Sequence, residues 1–223
     1  MISKYLLSAA LAVLCLLPSA SFALSDGELL DMRYEASPLP QARPNGPPVA
    51  ERFHLEQACT LHISGVDDIR RNKTFAANNT FMLATTSATP LRVQSVESGD
   101  TVRWTRSALQ TLERYGFKVQ DAVTGTSSAA FQLPVSFNLR LVQGWSAGLN
   151  LVSHVVLRAN YRQATGAVTR EYHGMGTRTN WNNGTGEYMA VLNLGMEEAL
   201  LAFAKEAASA CAGLTLPDRA ADL

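Results

Sequence analysis

The chain has 223 residues, 19 basic and 19 acidic groups for a formal net charge of zero, and 47% hydrophobic residues. Zero net charge excludes a generalised nucleic-acid or polyanion binder, which needs a basic excess. The hydrophobic fraction excludes a disordered chain, and at roughly 150 residues per domain the length accommodates one folded domain and an arm.

The first 23 residues read as an export signal. Lys4 supplies the positive start, and Leu6 to Leu17 form an apolar segment too short to span a bilayer. Pro18 breaks that segment, and the small residues Ser21 and Ala23 place cleavage after Ala23. Cys15 follows Leu14 inside the apolar segment and lacks the small residue that precedes a lipid-modified cysteine, so lipid anchoring is not expected. The expected location is the bacterial periplasm or the medium beyond it, with no transmembrane helix in the mature chain.

Residues 24–57 read as an extended arm, because Pro38, Pro40, Pro44, Pro47 and Pro48 are five of the nine prolines. Proline at this density cannot supply the donors of a helix or central strand. A single domain is expected over residues 58–213, with a tail over 214–223. Cys59-Thr-Leu61-His-Ile63-Ser alternates apolar and polar positions, the period of a half-buried strand. Gly65 to Lys73 reads as a charged loop, and Thr80–Thr85 and Leu91–Val96 as short strands around Pro90.

Asp100 is placed to cap a helix carrying Val102, Trp104, Ala108, Leu109, Leu112 and Tyr115, which Gly116 ends and Phe117 backs. Phe117–Val123 then starts a strand, and Gly125–Ala130 form a polar loop. Three long strands follow. Val135, Phe137, Leu139 and Leu141 alternate with polar residues, as do Leu149, Leu151, Val155 and Leu157, and Val168–Tyr172 returns after a turn at Gln163–Gly166. Short connections make these strands antiparallel, and Val152 and Val156 suggest that part of the second face is also covered. Glu187–Cys211 is helical, with Met189, Leu192, Met196, Leu200, Phe203 and Ala207 at three- and four-residue spacing; Gly195 marks a bend or close packing, and Gly213 ends the run. The fold class is α+β: a two-layer sandwich of an antiparallel meander with two main helices packed on one face.

With the signal removed, Cys59 and Cys211 remain. In an oxidising compartment such a pair forms one disulfide, and the chain-entropy model gives roughly 4–5 kcal/mol for loops near 150 residues. The rival reading is two buried free thiols.

No catalytic signature emerges. His54, His62, His154 and His173 lack metal-ligand spacing and read as exposed or edge residues, no serine sits in a G-x-S-x-G elbow, and no cofactor or metal is expected. His173-Gly-Met-Gly176 reads as a strand end with a bulge. Asp67 and Asp68 are adjacent, so their carboxylates point apart and read as loop charges paired with Arg70 or Arg71. Trp181 is either an exposed anchor for a partner or glycan, or a core residue beneath the last helix. Asp67, Arg70 and Trp181 are the candidate partner-binding residues. Asn72, Asn78 and Asn183 match a glycosylation pattern that carries no information behind a bacterial signal.

Three segments carry a family resemblance. Ile63-Ser-Gly-Val-Asp-Asp-Ile-Arg70 resembles the opening strand and D-x-R loop of the YajG-type lipoproteins, Trp104 to Phe117 is similar to their long helix followed by G-F, and Tyr188 to Phe203 resembles their last helix. The similarity spans about residues 58 to 210 and rests on packing motifs. Two departures stand out: the signal lacks a lipobox cysteine, and the Cys59 and Cys211 pair matches no family pattern. The resemblance implies an envelope accessory protein that acts by binding, without catalysis, and whose partner is an envelope protein rather than nucleic acid. The alternatives are an exported enzyme acting on an envelope glycan or lipid, which requires a pocket of converging polar groups with shifted pKa values, and a secreted effector.

Overall fold

The computed structural model describes residues 27–37, 59–78, 93–121, 132–147, 149–163, 166–181 and 184–212. Strands β1 (Leu29–Leu30), β2 (Thr60–Asp68), β3 (Thr74–Asn78) and β4 (Val93–Ser98) precede helix α1 (Thr101–Leu109), which tightens into a 3-10 turn over Gln110–Tyr115. Strands β5 (Lys118–Asp121), β6 (Gln132–Ala147), β7 (Asn150–Gln163) and β8 (Gly166–Thr179) follow, and helix α2 (Thr185–Cys211) closes the order. The expected strand over Thr80–Thr85, the loop over Gly125–Ala130, the export signal, His54 and the proline-rich stretch from Pro38 lie outside the described residues.

The class is α+β, but the main sheet is mixed rather than a pure antiparallel meander. Its order is β5-β2-β6-β7-β8. Strands β6, β7 and β8 form the expected antiparallel ribbon, whereas β2 runs parallel to both β5 and β6. The physical reason is the connection: helix α1 lies between β2 and β5 in the chain, and a crossover of that kind returns the next strand in the same direction. A small second sheet of order β1-β4-β3 was not foreseen.

Several local expectations need correction. The stretch from Gly65 to Asp68 is not loop; β2 takes up a bulge between Ile63 and Gly65, then stays paired with β6 as far as Asp68 opposite Leu139. A register shift between Leu139 and Leu141 turns Leu141 away from the core and puts Val142 there instead. Leu149 belongs to the β6–β7 turn and is exposed. Residues 27–37, expected within the arm, are built into the fold: Leu30 and Met32 lie in the core, and the Gly99 N–H donates to the Leu30 carbonyl at 3.0 Å. They were overlooked because so short a strand carries no periodicity.

The helices form as their sequences require. Asp100 accepts from the Arg103 N–H at 2.8 Å, capping α1, and Gly116 adopts the left-handed conformation that ends it. One face of α2 buries Tyr188, Leu192, Met196, Phe203 and Ala207 against the sheet. The Phe203 ring meets Phe137 edge-on at 5.0 Å, a favourable arrangement for aromatic quadrupoles. Cys59 and Cys211 are disulfide-bonded with Cα atoms 6.0 Å apart, tying the end of α2 to the start of β2.

The closest helix–sheet approach explains the glycines. Gly174 and Gly176 do not end β8 at a bulge; they sit mid-strand in unbroken register with β7. A Cβ on Gly174 would collide with the Gly195 carbonyl oxygen, and one on Gly176 with that of Val191. Gly195 completes the contact, since a Cβ there would lie 2.7 Å from the Ser153 hydroxyl oxygen. Buried Ser153 donates to the Val191 carbonyl at 2.6 Å and accepts from the Gly176 N–H at 3.1 Å, so its polar group is satisfied where α2 touches the sheet.

Candidate functional site

Among the described residues, a concavity lies where residues 29–37 cross the first half of α2. It encloses about 480 Å³, with Leu30, Met189, Ala190 and Leu194 as apolar walls and Arg33 and Arg178 among its polar ones. The crossing segment is held by specific bonds. Asn193 donates to the Arg33 carbonyl at 3.3 Å and is itself fixed by the Trp104 indole N–H, which donates to the Asn193 Oδ1 at 2.7 Å. The Tyr34 hydroxyl donates to Glu197 at 3.3 Å, and the Ser37 N–H donates to the same carboxylate at 2.5 Å. Burial, with Glu197 beside it, pushes the Tyr34 hydroxyl above the usual phenol range, so it stays a neutral donor.

Large apolar side chains are exposed around the same end. Trp181 is 77% exposed and Leu149 64%, and the Asn180 N–H bonded to the Leu149 carbonyl at 2.8 Å draws the two turns together. Leu29, at the mouth of the cavity, is 62% exposed. Glu187 accepts from the Trp181 N–H at 2.9 Å, so the turn bearing Trp181 is fixed to the first turn of α2. Of the two readings open for Trp181, the exposed one holds.

The other predicted residues are not brought to this place. Asp67 is exposed on β2, opposite Asn138 of β6. Arg70 is buried: its Nε and Nη2 donate to Asp68 at 2.9 and 2.7 Å, and Nη2 also donates to Ser98 at 2.8 Å. Lys73 pairs with Asp68 at 2.9 Å, and the Thr101 hydroxyl donates to it at 2.7 Å. Burial alone raises the Asp68 pKa, but these donors outweigh it and hold the carboxyl well below the usual carboxylate range. Asp68 therefore joins the end of β2, the small sheet and the start of α1. That is an architectural task, and Arg70 is buried in performing it.

Two further polar groups come together only in the fold. Under α2, the Tyr172 hydroxyl donates to Glu206 at 2.9 Å and lies 3.5 Å from that of Tyr161; burial first, then these neighbours, push Tyr172 far up. On the opposite face of the sheet, His154 Nε2 and His173 Nδ1 approach to 3.3 Å. Burial and the neighbouring His173 lower the His154 pKa. A signal for that pair was present: the turn at Gln163–Gly166 sets the β7–β8 register, which puts His154 opposite Met175 and Val156 opposite His173.

Among the described residues, no helix is long and apolar enough to cross a membrane, and no group of three or more His, Cys, Asp or Glu side chains is placed to share a metal ion. No protein-family model matches the sequence, and no curated protein matches it. Solved structures to which the chain is similar include a Xanthomonas campestris protein of the DUF330 family, at 9% identity and a TM-score of 0.37 over 66% of this chain and 90% of that one. Another is a "putative lipoprotein" from Caulobacter crescentus, at 11% identity and a TM-score of 0.36 over 53% of this chain and 88% of that one. A third is a hypothetical protein from Chlamydia trachomatis, at 7% identity and a TM-score of 0.32 over 67% and 98%. At identities and scores this low, neither activity nor compartment transfers to this chain.

Proposed function

We propose that this is an exported bacterial envelope protein that acts by binding, as an accessory of an envelope complex, and that the end of the molecule around Trp181 is its contact surface. The observation that carries the reading is a set of exposed apolar side chains at one end of the molecule: Leu29 lines the cavity, and Trp181 and Leu149 lie on segments bonded to each other and to the first turn of α2, the helix that walls it. A large aromatic anchor with apolar neighbours and a concavity at the same end is what a binding surface needs. Three of the groups with displaced pKa values serve the fold: Asp68 ties β2 to α1, Tyr34 straps the N-terminal segment to α2, and Tyr172 meets Glu206 beneath the helix. Export is supported by the signal-like first 23 residues and by the bonded Cys59 and Cys211, a pairing that persists in oxidising compartments. The resemblance to YajG-type lipoproteins points the same way.

The test is photo-crosslinking in cells, with a crosslinking residue at position 181 and a control at Lys118 on the far edge strand. One dominant envelope protein captured from position 181 and not from 118 supports the reading. Equal capture from both positions, or none from 181, overturns it.

A further inference from the structure

The outer face of the sheet carries three side chains that neither the fold nor the cavity uses. His154 of β7 and His173 of β8 bring Nε2 and Nδ1 to 3.3 Å, with ring centroids 5.5 Å apart. A ring nitrogen lies roughly 1.1–1.2 Å from its centroid, so a centroid separation near 5.5 Å puts both nitrogens close to the line between the rings, where in the neutral pair one donates its hydrogen to the other; a metal ion would take that hydrogen's place.

The strand register puts a third candidate donor on the same face. Met175 is the register partner of His154 and lies two residues from His173 on the same face. Its N–H donates to Glu198 of α2 and so points away from β7. The His154/Met175 pair is therefore a non-hydrogen-bonded antiparallel pair, the kind whose side chains approach most closely. The thioether-bearing side chain is 57% exposed, an unusual position for a methionine with no packing duty. Beside the group, Val156 sits opposite His173 on the same face and is buried without joining the main core.

We propose that His154 Nε2, His173 Nδ1 and the Met175 sulfur bind one copper(I) ion. Metal–imidazole bonds of about 2.0–2.1 Å at tetrahedral angles hold two nitrogens roughly 3.3–3.4 Å apart, which matches the 3.3 Å between these two. The donor set selects the ion: two imidazoles and a thioether are neutral and partly soft, which suits copper(I) and gives little to magnesium, calcium or manganese. Two carboxylates lie near the group, and both are engaged: Glu171, two residues before His173, by Arg158 at 2.7 Å and Arg140 at 3.2 Å, and Glu198 by the Met175 N–H. This site lies on the far side of the sheet from the cavity and rests on none of the reading given for it.

The experiment is an anaerobic titration of the purified protein with copper(I) against a chromophoric chelator, with the Met175 methyl signal followed by NMR. One ion per chain and a shifted Met175 methyl are expected. H154Q and H173Q should each weaken binding by at least the roughly 10–100-fold that losing a metal-orienting partner costs, and M175L should weaken copper(I) while sparing the weaker zinc binding. Their side chains are solvent-facing, so unchanged melting temperatures separate lost binding from lost folding. Failure to hold copper(I) against the chelator, wild-type affinity in H173Q or M175L, or tighter binding of zinc than of copper(I) overturns the proposal.

Discussion

The two faces of the five-stranded sheet are held by different kinds of contact. On the α2 side, Gly174 and Gly176 meet Gly195 and the Val191 carbonyl backbone to backbone, with Ser153 as the one polar side chain between them. On the other side, side chains pair across strands: Arg158 with Glu171, and Thr169 with Asn160. Backbone contact has no flexible end to give way, so the inner face tolerates almost no added volume. Side-chain ladders can be exchanged piecemeal, which leaves the outer face free to carry function.

The largest effect should come from releasing α2 at its end. C59S and C211S should each cost about 4 kcal/mol in urea unfolding, because the bond spans 152 residues of sequence and constrains a long unfolded loop. The double mutant should be no less stable than either single one. A full loss from only one of the two would mean that the effect is packing at that position rather than the cross-link.

Next in size is the inner contact itself. G174A adds one methyl group against the Gly195 carbonyl and should cost about 3 kcal/mol, the upper part of the usual overpacking range. The same methyl at Gly186, where nothing lies nearby, should be close to neutral. Equal tolerance at both positions would show that α2 can slide on the sheet, and the contrast between the faces would lose its basis.

Asp68 sharpens the comparison, because it is charged and yet behaves as an inner-face residue. D68N keeps the shape but leaves the buried Arg70 without its counter-charge, for an expected cost of about 2 kcal/mol at neutral pH. The carboxyl's pKa is lowered in the folded protein, so the unfolded state takes up the proton first as pH falls. The stabilisation is therefore complete above about pH 4, the ordinary carboxylate value, and fades below it. The difference between wild type and D68N should shrink as pH falls from 4 towards 2; a gap that stays constant would sink the ion-pair account.

What the sequence disclosed follows the same division. The buried stripe of α2, the cap at Asp100 and the left-handed Gly116 are local patterns, and all appear in the structure. The paired cysteines and the β6–β8 ribbon were likewise readable. What stayed hidden depends on distant partners. Strand β8 was cut short at Tyr172 because Gly174 and Gly176 look like strand breakers until α2 is laid over them. The cavity was out of reach because one wall is residues 29–37, whose place in the core depends on pairing with β4. Arg70 and Trp181 looked alike as candidates, and only packing buries the first and exposes the second.

The smallest effect tests the outer face. R158A removes a part-exposed arginine whose partner Glu171 keeps Arg140 at 3.2 Å, so it should cost under about 0.5 kcal/mol and less still in high salt. E171Q is the stricter probe. It leaves Arg140 and Arg158 facing each other with no carboxylate between them, and like charges on adjacent strands repel. Its cost should reach about 1 kcal/mol at low ionic strength and fall as salt is added, because the repulsion is through solvent. A loss as large as that of G174A, insensitive to salt, would mean that this ladder is held as rigidly as the face beneath α2.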